Sequence, residues 1–254
     1  MTGKAFEKLI DIMEKLRGPE GCPWDREQTH DSLRPYLLEE TYEVLETLDT
    51  KDYEGLKEEL GDFILQSVFH AQIARENKEF DMLDVLNTIN EKLIRRHPHV
   101  FGEVEIKTAD EQKVHWERLK KKEGKKSVLD GVPKTAPSLL RAARIQQKAA
   151  TVGFDWPDTA PVWGKIDEET DELRRAIDDS DRDAILEEFG DLLFAMVNLS
   201  RFLRVNPEDA LRLAVEKFID RFHKLEDRYR NDKKSLKDAT LEEMDQVWNE
   251  IKKK

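Results

Sequence analysis

The 254-residue sequence predicts an all-α protein built from two copies of one helical module. Apolar residues recur three and four positions apart in most segments, which is the spacing of a buried helix face, and no segment alternates convincingly like a strand. A pair of acidic motifs also occurs twice, with each residue of the second copy 129 positions after its counterpart. Internal repetition of this kind indicates two modules of the same architecture.

The first half of the chain predicts helices separated by short loops. The expected helices cover residues 5–16, from 31 or 32 to 48, from the turn at 49–52 to 75, from 81 to 97, and from 108 through 119. Asp31 or Ser32 suits the N-cap of the second helix, and Asp81 suits that of the fourth. Thr108 and Glu111 form a capping box that opens the fifth. Residues 100–106 suit only a short extended piece.

The second half repeats this plan. The expected helices cover residues 138–150, an acid-bearing helix to 177, from the turn at 178–181 through 197, from 207 to 229, and from 241 through 251. Asn206 with Pro207 is typical of a helix start, and Thr240 with Glu243 forms a capping box. Between the halves, residues 120–137 hold a lysine run, two glycines and two prolines. We therefore expect domains at 1–122 and 138–254, joined by a linker at 123–137.

Composition and charge exclude several classes of protein. The net charge of −12 argues against a general nucleic-acid surface, which needs a concentrated basic face. No window approaches the roughly 20 apolar residues of a membrane span, and the start of the chain does not resemble a signal peptide. A single cysteine, Cys22, suits a reducing compartment. We expect a cytoplasmic protein that binds neither nucleic acid nor membrane.

The repeated acidic motifs predict that carboxylates meet across a helical hairpin. The first copy comprises Glu39, Glu40, Glu43, Glu59 and Asp62, and the second comprises Glu168, Glu169, Glu172, Glu188 and Asp191. Residues three and four apart share one helix face. Lys51 is midway between Glu43 and Glu59, and Ser180 is midway between Glu172 and Glu188, so each midpoint falls in a predicted turn. The two acidic segments of each copy should therefore lie opposite each other.

Facing carboxylates repel one another and take up protons unless a cation compensates them. All-oxygen ligands suit Mg²⁺, with Mn²⁺ as a substitute. Apolar neighbours such as Leu60 and Phe63 indicate that the acids border the core. Glutamate-rich helices without a metal are the ordinary alternative. A di-iron helix bundle is the more specific alternative. Di-iron bundles use Glu-x-x-His, which occurs here only at Glu27 to His30, in a predicted loop.

Basic and aromatic residues in the helices that follow are candidates for substrate contacts. They are Lys92, Arg95, Arg96 and Trp116 in the first copy, and Lys217, Arg221 and Trp248 in the second. Cations beside a carboxylate-bound metal suit a polyphosphate, although ordinary surface charge also explains them. Trp24 and Trp156, in corresponding loops, suit either stacking on a base or core packing.

The acidic motifs resemble the signature of the MazG family of nucleoside triphosphate pyrophosphohydrolases, Glu-Glu-x-x-Glu followed by Glu-x-x-Asp. Both copies match it in full, and the resemblance extends to residues 22–25, 96–101 and 152–156. It implies tandem MazG modules, each a four-helix-bundle-like unit related to dimeric dUTPases and completed by a second protomer. It also implies Mg²⁺-dependent hydrolysis of nucleoside triphosphates to monophosphate and pyrophosphate.

The same resemblance implies roles for individual residues. Glu40, Glu43, Glu59 and Asp62 would be metal ligands in the first copy, and Glu169, Glu172, Glu188 and Asp191 in the second. Glu39 and Glu168 are candidates for the general base. Lys217, Arg221 and Trp248 match nucleotide-contacting positions of the family, with Lys92, Arg96 and Trp116 as counterparts. Neither motif is degenerate, so both copies remain candidates for catalysis.

Two classes of function therefore remain open. The leading hypothesis is a house-cleaning pyrophosphohydrolase that acts as a homodimer on ordinary or aberrant nucleoside triphosphates. The alternative is a nucleotide-binding regulatory or interaction module with little turnover. A di-iron oxidoreductase is a third and weaker hypothesis.

Overall fold

The computed structural model describes residues 2–102, 108, 111 and 127–252. Among these residues it contains helices, turns and loops but no strand, so the predicted all-α class is confirmed. The helices are α1 (Thr2–Arg17), α2 (Pro23–Glu27), α3 (Arg34–Thr50), α4 (Tyr53–Glu76), α5 (Met82–Arg96), α6 (Pro98–Phe101), α7 (Ser138–Ala150), α8 (Ala160–Asp178), α9 (Arg182–Phe202), α10 (Pro207–Asn231), a 3₁₀ turn (Leu236–Asp238) and α11 (Leu241–Lys252).

The chain divides into two compact units, Met1–Lys107 and Thr108–Lys254. The predicted linker at 123–137 lies partly outside the described residues. Its described part belongs to the second unit and is held there by α7, because the Lys148 Nζ donates to the Val128 and Asp130 carbonyls at 3.1 Å each. The domain limits 1–122 and 138–254 stay a prediction.

In the first unit, α4 is the central helix and contacts α1, α3 and α5. The core is formed by buried apolar side chains of α1, of the segment before α3 and of the second half of α4. It comprises Met13, Leu33, Val68, Phe69 and Ile73. This core lies toward the end of α4 that is farther from the acidic motif, so the acids lie beside it and not within it.

In the second unit, α9 is central in the same way and contacts α7 and α8, while α10 contacts α7 and α11. Its core comprises Val162, Ile166, Ala195 and Leu199. Val162 and Ile166 are one turn apart on α8, and Ala195 and Leu199 are one turn apart on α9. The core therefore holds together the two helices that carry the second acidic motif.

The two helical hairpins turn in the same way. Lys51 and Ser180, the predicted midpoints, have positive φ angles of 58° and 55°. The next residue is the N-cap of the second helix in each hairpin, with the Asp52 carboxylate accepting from the Gly55 N–H at 3.1 Å and the Asp181 carboxylate accepting from the Asp183 N–H at 3.1 Å. Both predicted turns are confirmed.

Local differences from the sequence-based expectations occur at helix ends. The N-cap of α3 is Leu33, without a side-chain hydrogen bond, so the expected capping by Asp31 or Ser32 is wrong. Leu33 is 1% exposed, and its burial places the start of the helix. Pro98–Phe101 is a single helical turn and not extended. The expected helix after Thr108 lies outside the described residues, except that the Glu111 N–H donates to the Thr108 hydroxyl.

The first halves of α4 and α9 leave apolar side chains exposed. On α4, Leu60, Phe63 and Ile64 are 40–44% exposed, so the expected core around the first acidic motif is not closed within the described chain. On α9, Leu186, Phe189 and Leu193 are 43–76% exposed. These side chains lie on the solvent-facing side of the two hairpins.

None of the helices in the described part of the chain is long and apolar enough to cross a bilayer.

Candidate functional site

Each unit brings three glutamates together across a helical hairpin. Glu40 and Glu43 of α3 meet Glu59 of α4, and each offers a carboxylate oxygen within 4.8 Å of the other two. Glu169, Glu172 and Glu188 form the corresponding group on α8 and α9, with the same 4.8 Å limit. We call these the first and second acidic groups. Because the acids on the two helices of a hairpin are equally far from its turn, they lie opposite each other, as the spacing predicts.

The electrostatics of the first acidic group are unfavourable without a cation. Burial raises the pKa of Glu40, and the charges of Asp62 and Glu43 raise it further, while a hydrogen bond from Gln66 opposes this effect. Removal from water likewise raises the pKa of Glu59, with Glu43 and Asp62 adding to it. Carboxylates with raised pKa values gain most from a bound cation, because it removes the repulsion between them.

In the second acidic group, burial raises the pKa of Glu188, followed by the charges of Glu172, Glu169 and Asp191. The most buried member is Glu169, which is 3% exposed. The Lys165 Nζ lies 2.5 Å from the Glu169 Oε1 and 3.1 Å from the Glu168 Oε1. Hydrogen bonds to Glu169 and then Glu168 raise the pKa of Lys165 above its usual range. The positive charge of Lys165, which lies on α8 with Glu169, therefore partly neutralises this group.

The first group has an amide in place of that cation. The Gln66 Nε2 donates to the Glu40 Oε1 at 3.4 Å, and the position equivalent to Lys165 is Tyr36. A neutral amide compensates a carboxylate less than an ammonium group does. The two groups thus have glutamates at equivalent positions but differ in how the most buried glutamate is stabilised.

The remaining predicted acids lie beside these groups and not among the three converging oxygens. Asp62 and Asp191 are near enough that their charges raise the pKa values of Glu59 and Glu188. Glu39 and Glu168, the candidate general bases, are exposed on α3 and α8. Glu168 accepts from Lys165 at 3.1 Å.

The predicted basic and aromatic contacts are distributed along later helices. Lys92 borders a shallow groove on α5 with Phe80 and Ile89, and the acid that lines this groove is Asp84, which is not part of the repeated motifs. Arg95 and Arg96 are the last residues of α5. Trp116 lies outside the described residues.

In the second unit, Lys217 and Arg221 lie on α10, and Trp248 lies on α11. The Trp248 ring packs on Phe218 of α10 with centroids 5.1 Å apart. Lys252 places its Nζ 5.9 Å from the centroid of the same ring. Trp248 therefore has a packing role between two helices, which leaves its predicted nucleotide contact open.

A cavity of about 690 Å³ adjoins the second acidic group. Glu169 and Asp191 form part of its wall, and most of the remainder is apolar, including Ile145, Trp156 and Phe194. A volume of this size lies within the range of roughly 300–1,000 Å³ that small-molecule sites occupy. The second unit thus places a partly open, mostly apolar cavity beside its carboxylates.

Several polar residues of this region were not singled out from the sequence. They are Gln146, Lys165, Asn198 and Arg201. The spacing of Lys165, three and four residues before two acids, is a signal that sequence reasoning can use. No comparable signal exists for Gln146 or Asn198, because their importance depends on burial in the folded unit.

The fold and the two acidic groups define a class of all-α proteins that gather carboxylates across a helical hairpin, in positions suited to a divalent cation. Residues 28–101 and 163–225 match the MazG nucleotide pyrophosphohydrolase domain. The chain therefore belongs to the MazG family.

Two relatives are similar along nearly their whole length. The nucleoside triphosphate pyrophosphohydrolase/pyrophosphatase MazG of Thermotoga maritima is 51% identical over 254 residues, which cover 99% of this chain and 97% of that protein. The nucleoside triphosphate pyrophosphohydrolase of Escherichia coli K12 is 43% identical over 257 residues, which cover 98% of this chain and 97% of that protein. The family predicted from the acidic motifs is confirmed.

Proposed function

We propose that this protein hydrolyses nucleoside triphosphates to nucleoside monophosphates and pyrophosphate, with Mg²⁺ as its metal and Mn²⁺ as a substitute. The observation that carries the proposal is the convergence of three glutamate oxygens within 4.8 Å, formed twice in a chain of this family. The names of both full-length relatives, nucleoside triphosphate pyrophosphohydrolases, support the substrate class.

The acids fit a small hard cation. Two oxygens bound to one Mg²⁺ at about 2.1 Å are at most about 4.2 Å apart, so small side-chain rotations suffice to surround an ion. The proposed ligands are Glu40, Glu43, Glu59 and Asp62 in the first unit, and Glu169, Glu172, Glu188 and Asp191 in the second. When bound, Mg²⁺ would neutralise phosphate oxygens and stabilise the charge that develops on pyrophosphate.

The chain's own residues would orient water and phosphate around these acids. Glu39 and Glu168 are exposed next to the acidic groups, which allows either to accept a proton from an attacking water. The ammonium group of Lys165 is already held beside Glu168 and would fix its carboxylate. Contacts to the polyphosphate or nucleotide are assigned to Lys92, Arg95, Arg96 and Trp116, and to Lys217, Arg221 and Trp248.

The proposal includes a homodimer in the cytoplasm, where nucleotide pools are found. Support for the dimer comes from the exposed apolar faces of α4 and α9, since contiguous exposed apolar patches mark interaction surfaces. The faces lie on the same helices as the acids Glu59 and Glu188. A second protomer would therefore cover apolar surface next to each acidic group.

The decisive experiment measures monophosphate and pyrophosphate released from a panel of nucleoside triphosphates, with and without Mg²⁺. We expect Glu172→Gln to lower kcat/KM by about 100-fold or more if the second unit is catalytic, because a ligand carboxylate is lost. Glu43→Gln tests the first unit in the same way. Substitutions Glu58→Gln and Glu187→Gln are matched controls, since these acids neighbour the ligands in sequence but lie outside the acidic groups.

Release of orthophosphate and nucleoside diphosphate would contradict the proposal. Tight nucleotide binding without turnover of any substrate would favour a regulatory module instead.

A further inference from the structure

A buried lysine of the second unit holds a chain segment that precedes α7. Lys148 of α7 is 6% exposed, and its Nζ donates to the carbonyls of Val128 and Asp130 at 3.1 Å each. Hydrogen bonds from a charged donor are stronger than those between neutral groups. Because the two carbonyls are two residues apart in the chain, the ammonium group fixes this segment at two points.

The segment held in this way is a compact turn, residues 127–131, which we call the anchored turn. The Ser127 N–H donates to the Asp130 Oδ2 at 2.9 Å, and the Asp130 N–H donates to the Ser127 carbonyl at 3.2 Å. The Leu129 N–H donates to the Ser127 hydroxyl at 3.1 Å. Gly131 follows with a φ of 83°, which glycine adopts without strain. The turn is therefore closed by its own hydrogen bonds, and the buried ammonium group fixes its position against α7.

The anchored turn contributes Leu129 to the wall of the cavity beside the second acidic group. Leu129 is 39% exposed, and it lines this cavity together with Ile145 and Ala149 of α7. Glu169 and Asp191 lie in the same wall. A nucleoside triphosphate held at the second acidic group would therefore border a wall that the buried ammonium group keeps in place.

We propose that Lys148 is a positioning residue for the reaction of the second unit, because it holds Leu129 in the cavity wall. This inference rests on the proposed function. It makes the anchored turn, which lies within the predicted linker at 123–137, a part of the substrate site. Detaching the turn opens the cavity on one side and removes apolar surface from it, while the metal-binding carboxylates stay in place. Substrate affinity then falls, and the chemical step does not slow.

A purely structural role for Lys148 makes a different prediction. A cation that only stabilised the fold would lower Tm when removed and leave the KM of the folded protein unchanged. A positioning role acts on substrate binding through Leu129, so it raises KM at a temperature at which every variant is folded. The proposed metal ligands lie on α8 and α9, whereas the turn is held by α7, so kcat should change little in either case.

The test measures hydrolysis by full-length Lys148→Met and Leu129→Ala, with Arg144→Met as the matched control. All variants and the reference protein carry Glu43→Gln, so that the second unit provides the measured turnover. Methionine keeps the length of the lysine side chain but cannot donate to the two carbonyls. Arg144 is exposed one turn earlier on α7. We expect Lys148→Met and Leu129→Ala each to raise KM about tenfold with kcat changed by less than about twofold, because apolar contact with the substrate is lost, and Arg144→Met to retain the reference KM.

Two further measurements separate positioning from folding. The double variant of Lys148→Met with Leu129→Ala should have the KM of the single variants, because both changes act through one wall. Hydrogen exchange followed by mass spectrometry should show faster exchange of the Leu129 and Asp130 N–H groups in Lys148→Met than in Arg144→Met. If Lys148→Met leaves KM or this exchange unaltered, or if the two KM effects multiply in the double variant, the inference is wrong.

Calorimetric binding of an α,β-methylene triphosphate analogue, which cannot release pyrophosphate, distinguishes this inference from the proposed function. If the reference protein hydrolyses no triphosphate but Lys148→Met and Leu129→Ala both weaken binding of the analogue, the hydrolase is wrong and the positioning role remains. If pyrophosphate is released from the natural triphosphate and neither variant changes KM or analogue binding, the hydrolase remains and the positioning role is wrong.

Discussion

At the scale of single residues, the two acidic groups contain glutamates at equivalent positions but differ in how far neighbouring side chains compensate their negative charge. Glu169 is nearly fully buried and lies against the Lys165 ammonium, whereas Glu40 is half-buried and accepts a hydrogen bond from the neutral amide of Gln66. A buried carboxylate needs a partner, because removing it from water is costly. Metal binding to the second group must therefore displace or share a cation that the first group does not have.

The raised pKa values predict how metal affinity depends on pH. Because the pKa values of Glu40, Glu59 and Glu188 are raised above about 4.5, protons compete with the metal at a higher pH than for ordinary glutamates. We expect Mg²⁺ affinity and activity to fall as the pH decreases through these raised values. Calorimetric titration with Mg²⁺ between pH 8 and pH 5 measures this effect.

In the absence of metal, the stability of the fold changes with pH in the opposite direction to the Mg²⁺ affinity. A folded-state pKa above the unfolded value means that these carboxylates destabilise the fold above about pH 4.5, and the cost decreases as the pH falls through the raised values. Mg²⁺ should therefore raise Tm more at pH 8 than at pH 5. An equal effect at both values would argue against metal binding at these acids.

At the scale of helices, the hairpin turns place the acids. In each hairpin a left-handed residue is followed by an aspartate N-cap, so the second helix begins at the same offset from the first. A residue with positive φ and a side chain is strained relative to glycine, which adopts this region freely. Both copies nevertheless carry a side chain there, Lys51 or Ser180.

Substitution of these residues by glycine should stabilise the hairpins. We expect Lys51→Gly and Ser180→Gly each to raise stability by about 0.5–1 kcal/mol, because left-handed helix ends favour glycine. Thermal unfolding followed by circular dichroism measures the change. Ser180→Val is the opposing control and should lower Tm, since β-branched residues are least tolerant of positive φ. A lower Tm for both glycine variants would contradict the hairpin geometry.

At the scale of the whole molecule, the exposed apolar faces point to assembly. Leu186, Phe189 and Leu193 are spaced three and four residues apart on α9 and lie on one face. Their exposure in a chain rich in charge is unfavourable unless a partner covers them.

A charge introduced into this face should weaken the homodimer that we propose. We expect the wild-type protein to have a dimer mass by light scattering, and Phe189→Glu to shift it toward the monomer because the charge loses its hydration at an interface. Leu241→Glu is the matched control at another exposed leucine, at the start of α11. A monomeric mass for the wild-type protein at micromolar concentration would overturn the proposal.

Most of the helices and both turns were predictable from the sequence, because helix periodicity, caps and turns depend on neighbouring residues. Ser138–Ala150 and the Asn206 cap are examples in which local signals sufficed. The start of α3 was not predictable in this way, since burial of Leu33 outweighs the capping preference of Asp31 or Ser32.

The sequence by itself determined the all-α class, the duplication, the family and the acids that face each other across each turn. It did so because residues at helical spacing and equal distances from a turn must meet when the hairpin closes. Only the tertiary structure decided that Glu169 is buried against Lys165, and that a mostly apolar cavity lies beside this acid. Such features depend on how separate helices pack and on the space left between them, which no local pattern encodes.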